Sequence, residues 1–248
     1  MKKHLFLLNI FIVLFSLNSC WFLQKEERVY SDSYYFTYNA ETILDDIKRG
    51  EEDILLPISV NEELEIIPLE DATLWSQSDI IKIIDYIFEY VWQDSRDGWE
   101  LDLLYVGTDC QKINGFLGGR FRFVKSIKTG DKKHESRFVR TVFIQSRDRS
   151  IVVLDEEHYP RMFSWNTFDL NKMEITAEQA LQIAEENGGL ENRLAVNNEC
   201  FIWVDMELRE KSIIPVVNIP LVKTYEWIVR YRSVSDNETI FRYWVEPK

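Results

Sequence analysis

Basic residues are in short supply: 29 Lys and Arg face 42 Asp and Glu, for a formal charge of −13. A protein that grips a phosphate backbone needs a dense Lys/Arg surface, so this balance excludes nucleic acid as a partner. It equally disfavours electrostatic docking on anionic lipid. Cysteine is scarce, with three, which excludes a disulfide-dense mini-domain. Glycine and proline number only nine and six, so ordered elements should outnumber loops. The signatures G-x-S-x-G, H-E-x-x-H, G-x-x-x-x-G-K-[ST] and C-x-x-C are all missing. What remains is a chain of 248 residues, 46% hydrophobic and 14% aromatic. That is long enough for one large or two small domains and too apolar for a disordered protein.

The N-terminus reads as an address. Met1-Lys2-Lys3-His4 is cationic, and residues 5–17 are apolar except for Asn9 and Ser16. At about 1.5 Å per residue this run falls short of the roughly 30 Å hydrocarbon core, so it fits an export signal rather than a spanning helix. Leu17-Asn18-Ser19-Cys20 resembles a bacterial lipobox. The resemblance implies cleavage before Cys20, lipidation of its thiol and anchoring in a lipid bilayer of the bacterial envelope. The plainer reading is an ordinary cleaved signal with a coincidental cysteine. The expected organisation is a signal peptide over 1–19, a solvated tether over 20–38, and a helix with an extended arm over 39–70. Two α+β units follow over 71–172 and 173–248.

Both units are predicted from hydrophobic period. Before them, Asn39 caps a short helical pattern with Ile43, Leu44 and Ile47 on one stripe, ending at Gly50. Ser76 opens a longer helix in which Ile80, Ile83, Ile84, Ile87, Phe88 and Val91 share one face. After Asp97-Gly98 the period becomes two, with Trp99, Leu101, Leu103 and Tyr105 alternating against their neighbours. Strands are expected over 120–127 and 136–145, then a short one over 151–155. The order then recurs. Thr176-Ala177-Glu178-Gln179 is a capping box, Ala177, Ala180, Leu181 and Ala184 form a small-residue stripe, and Gly188-Gly189 stops the helix. Strands are expected over 201–208, 225–233 and 239–246. The predicted class is α+β, as two tandem helix-plus-antiparallel-sheet units in α-β-β-β order.

Ile175-Thr176-Ala177-Glu178-Gln179-Ala180-Leu181-Gln182-Ile183-Ala184 resembles the helix of bacterial PepSY modules. Tyr225-Glu226-Trp227-Ile228-Val229-Arg230-Tyr231 resembles their central strand. The resemblance spans roughly 175–245 and implies a PepSY/cystatin-like unit that restrains or localises partner proteins such as peptidases.

Reactive chemistry is sparse. Asp155-Glu156-Glu157-His158 reads as an acidic strand end, and His134 as part of a solvated turn, so no metal or cofactor is expected. Trp203, Trp227, Tyr231, Tyr243 and Trp244 read as core and sheet-face residues rather than a carbohydrate platform. The glycine-rich stretch Gly115-Phe116-Leu117-Gly118-Gly119 sits between strands as a hairpin loop. Its Phe116 and Leu117, with Ile213, Ile214, Val216 and Val217 of an apolar Pro-punctuated segment, are candidate partner-binding residues. The plainer reading of that segment is an edge strand or packed arm. Cys110 and Cys200 remain as an even pair once Cys20 carries lipid. They are either a disulfide pinning the two units together or two buried thiols. The expected function is that of a membrane-anchored, exported, non-catalytic protein-binding or scaffolding module with another envelope protein as partner. The alternative is an exported carboxylate-based hydrolase, such as a glycosidase.

Overall fold

The computed structural model describes residues 31–50, 66–128, 135–158, 167–169, 172–211 and 222–246. Cys20, His134, Ile213, Ile214, Val216 and Val217 lie outside the described residues. The strands are β1 (Ser31–Asn39), β2 (Glu100–Asp109), β3 (Gly118–Lys128), β4 (Glu135–Gln145), β5 (Ser150–His158), β6 (Cys200–Lys211), β7 (Val222–Ser233) and β8 (Thr239–Val245). The helices are α1 (Ala40–Arg49), α2 (Gln77–Tyr86), α3 (Ala177–Ala184) and α4 (Leu190–Ala195). All eight strands join one antiparallel sheet in the order β1-β5-β4-β3-β2-β6-β7-β8. The class is α+β, as expected.

Two separate units are not clearly present. β2 pairs with β6 from Tyr105 opposite Asp205 to Asp109 opposite Phe201, so the two strand sets continue into each other. The buried rows run straight across that seam. Val106 stands opposite Val204, and Val204 opposite Val229. Leu104, Phe121, Val142 and Val153 make the neighbouring row. These residues share one hydrophobic core with Ile80, Ile83, Ile84, Ile87 and Phe88 and with Ala177, Ala180, Leu181 and Ala184. Because side chains alternate along a strand, all of them lie on the helix-bearing face, and among the described residues no helix lies on the opposite face.

Three expectations need correction. The 20–38 tether is too long, because 31–38 belong to β1, which pairs with β5 and sends Tyr38 into the core. The strand expected over 151–155 is the full-length β5, bonded on both sides, so α2 is followed by four strands rather than three. In β2 the register shifts between Leu101 and Leu103. This bulge turns Leu101 and Leu104 to the core and leaves Leu103 and Tyr105 only half-buried, which breaks the simple alternation.

The helix starts follow their sequences closely. Asn39 Oδ1 accepts from the Glu41 and Thr42 amides at 2.9 and 3.1 Å, and Gly50 takes the left-handed conformation that ends α1. Ser76 and Thr176 each form a complete capping box, with Asp79 and Gln179 respectively. The two starts also cap each other. The Gln77 amide donates to the Glu178 carboxylate, and the Ala177 amide donates to Gln77 Oε1 at 2.7 Å across a separation of 100 positions. Two helix ends that would repel as like dipoles are thereby joined through side-chain oxygens. α2 continues through a π turn over Ile87–Val91. Gly188, at φ 111°, ends the run that begins with α3, and α4 restarts at once. A Cβ on Gly189 would lie 2.5 Å from the Tyr231 hydroxyl, so glycine is needed there for close approach.

The alanine stripe of α3 sets how near that helix sits to β6 and β7. Ala180 is fully buried, so Ala180→Leu should overpack the interface and destabilise the protein by about 1–3 kcal/mol. Urea unfolding followed by near-UV circular dichroism would measure this.

Candidate binding cavity

At the end of the sheet where β2 and β7 begin, a half-open cavity of about 840 Å³ is formed by several separate stretches of chain. Trp99, Leu101, Phe123, Phe168, Met173 and Tyr225 provide its apolar surface. Strand pairing positions most of these. Leu101 and Phe123 are register partners, and Phe168 bridges to Leu101 through an amide bond of 2.8 Å. Phe168 then packs on Tyr225 with ring centroids 5.0 Å apart.

The polar lining is acidic. Asp97, Glu100, Asp169, Glu226 and Glu246 line it together with two cations, Arg96 and Lys172, and both of those are already paired. Arg96 holds Asp85 at 2.7 Å and Lys172 holds Asp169 at 3.5 Å. Glu100 accepts from the Thr167 hydroxyl at 2.6 Å. Glu226, with its side chain almost wholly buried, accepts from Arg209 at 3.0 Å and from Thr224 at 3.3 Å. The negative field registers on Tyr225, whose hydroxyl is pushed above its ordinary pKa by burial and then by the charges of Asp102 and Glu100. An apolar floor beneath a surplus of carboxylates suits an amphipathic cation, with hydrocarbon below and a positive group at the rim. Among the described residues, no group of three or more His, Cys, Asp or Glu converges as a metal site.

A second aromatic cluster beside Trp99 is already filled by the protein itself. The Arg140 guanidinium lies 4.4 Å from the Trp99 ring centroid, 4.8 Å from Trp92 and 5.5 Å from Phe88. It also donates to Asp94 at 2.8 Å and lies 3.6 Å from Asp155. Burial raises the Asp155 carboxyl, against the pull of Arg140. Burial would raise Asp94 too, but hydrogen bonds from Trp99 and Arg140 and the charges of Lys125 and Arg140 hold it below the usual carboxylate range. This arrangement ties β4 to the turn after α2.

The residues singled out in the sequence fall in different places. Phe116 is no docking residue: it is fully buried in the core. Its amide and carbonyl form a two-way bridge with Trp75, both bonds 2.9 Å, and Gly115 permits the close pass, since a Cβ there would lie 3.0 Å from Leu74. Leu117 is half-buried beside it. Of the five aromatics considered, Trp227 and Tyr231 are fully buried, while Trp203, Tyr243 and Trp244 are half-buried. Asp155 to His158 close β5, paired with β4. Trp99, Phe168 and Glu226 were missed as site residues. The one signal for Glu226 is a carboxylate set between the aromatic residues Tyr225 and Trp227.

Cys110 and Cys200 stand opposite each other just beyond the β2–β6 seam and are joined by a disulfide, with Cα atoms 5.3 Å apart. The Cys110 amide donates to the Cys200 carbonyl at 2.9 Å. No family model matches the chain, and neither does any curated protein or solved structure. The disulfide closes a loop of 90 positions, so replacing both cysteines with alanine should lower the unfolding free energy by about 4 kcal/mol in the chain-entropy model. The urea midpoint reads this loss, and thiol titration of the denatured, unreduced protein should find neither Cys110 nor Cys200 free.

Proposed function

We propose that the chain is an exported, lipid-anchored envelope protein that works as a non-catalytic binding module. Its cavity receives a basic, partly apolar segment of a partner protein. The observation that carries this reading is the pairing of an aromatic floor with five carboxylates in one half-open cavity. Two of those carboxylates, Glu100 and Glu226, are already engaged by hydroxyl or guanidinium donors, which favours binding over the carboxylate-based hydrolysis considered as the alternative. Export is supported by the lipobox-like Leu17-Asn18-Ser19-Cys20 and by a disulfide, which persists in oxidising compartments. The PepSY-like reading of the second half draws support from α3 preceding an antiparallel β6-β7-β8 meander. Matched capping boxes at Ser76 and Thr176 support a tandem origin for the two helix-and-strand sets.

Anchoring is tested by Cys20→Ser, which should abolish lipid labelling and move the protein into the soluble fraction. Full retention on membranes would place the anchor elsewhere. For the cavity, Asp97→Asn combined with Glu246→Gln changes two exposed rim positions, so stability should hold. Affinity for the peptide Lys-Trp-Lys, followed by calorimetry, should fall about tenfold, as expected for loss of about 1.4 kcal/mol of charge pairing. Unchanged affinity would remove the cavity as the receiving site.

A further inference from the structure

On the face of the sheet without helices, β7 and β8 bring three arginines together in an otherwise acidic chain. Arg230 stands directly opposite Arg242, and Arg232 follows Arg230 on the same face by the two-residue period of the strand. Directly opposed like charges destabilise an antiparallel pair. The repulsion is felt: burial, and then the charges of Arg242 and Arg232, lower the Arg230 pKa against the pull of Asp205. Elsewhere on this face, arginines find carboxylates. Arg122 makes two bonds of 2.8 Å to Asp102, Arg209 reaches Glu226 at 3.0 Å, and Arg230 itself is held by Asp205 and Glu207. Arg120 is stacked on Phe143 at 4.7 Å.

Arg120 shares with Arg232 a buried Nε that has no acceptor, but among the described residues Arg232 and Arg242 have no stacked ring either. Among the described residues neither has a hydrogen-bonded carboxylate, and Arg232 Nε is shielded from water with no acceptor. With 42 acids in the chain, two guanidiniums that lack a hydrogen-bonded carboxylate are not explained by any shortage of acids, although the charge of Arg232 reaches Asp205 through space.

We propose that Arg232 and Arg242, flanked by Arg230, bind the phosphate group of a soluble phosphate ester. A guanidinium is a planar fork that grips two oxygens of one anion. One fork already saturates the two coplanar oxygens of a carboxylate. A tetrahedral phosphate dianion presents three oxygens and two charges, which match two guanidiniums that hold no carboxylate. This site is separate from the acidic cavity and has the opposite charge preference, so it does not depend on what the cavity receives.

The test uses the full chain in detergent with phenyl phosphate as probe and benzoate as its carboxylate counterpart, followed by tryptophan fluorescence and thermal melting. Phenyl phosphate should bind and raise the melting midpoint, and benzoate should bind at least tenfold more weakly. Arg242→Gln should weaken phenyl phosphate about tenfold while raising the melting midpoint of the ligand-free protein, because it removes a repulsive pair. A purely structural arginine would give the reverse, a lower midpoint in the ligand-free variant, and that result would overturn the proposal. Unchanged affinity in Arg242→Gln would do the same. Arg232→Lys keeps the charge but loses the fork, and should weaken phenyl phosphate while leaving its salt dependence in place. Binding to phosphatidylglycerol vesicles without binding to phenyl phosphate would overturn the assignment in favour of a lipid surface.

Discussion

Strands β2 and β6 meet over a short ladder from Tyr105–Asp205 to Asp109–Phe201, with the Cys110–Cys200 bond just past its end. The features that join the two halves of the chain depend on this seam. It aligns Val106 with Val204, so the core beneath α2 and the core beneath α3 become one. It brings the two helix starts close enough for the Glu178 carboxylate to accept from the Gln77 amide and for Gln77 Oε1 to accept from the Ala177 amide. It also sets the start of β2 near that of β7, which is what encloses the cavity between Trp99 and Tyr225. Without the seam the chain would hold two half-sheets, each with an apolar edge in water.

Local signals in the sequence were informative where the physics is local. Asn39, Ser76, Thr176, Gly50 and Gly188 all act where their side chains or backbone freedom predict, because a cap needs only its own neighbours. The core stripe from Ile80 to Phe88 was legible for the same reason. Failures occurred where a distant partner decides the outcome. The stretch Ser31–Asn39 is ordered by β5, more than a hundred residues later, and nothing in its own composition announces that. The β2 bulge is likewise a property of its pairing with β3. Phe116 lies in a glycine-rich loop that looks solvent-bound until Trp75 is found bridged to it. The cavity was the least legible feature, since it is assembled from pieces that share no motif.

The charge distribution makes a similar point about averages. A formal charge of −13 describes the rim of the cavity well, but it hides the opposite sheet face, where arginines and carboxylates pair between β6 and β7 and Arg242 of β8 stands opposite Arg230. Arg140 shows a further use of charge. Its guanidinium packs among Phe88, Trp92 and Trp99 while bound to Asp94, so one side chain serves as both hydrophobic filler and electrostatic tie. Aromatic richness in this chain therefore goes largely into internal structure.

The seam also has a consequence for the order in which the chain becomes available during synthesis. β3, β4 and β5 can find β2 and one another through short connections, and β1 can join β5, before anything beyond residue 158 exists. Until β6 arrives, β2 presents a bare edge and Cys110 has no partner. Such an edge is a template for pairing with another chain, and a lone thiol beside it can be captured covalently in an oxidising compartment. The edge of β2 and the thiol of Cys110 are thus covered by residues of β6, which follow all five of the earlier strands in the chain.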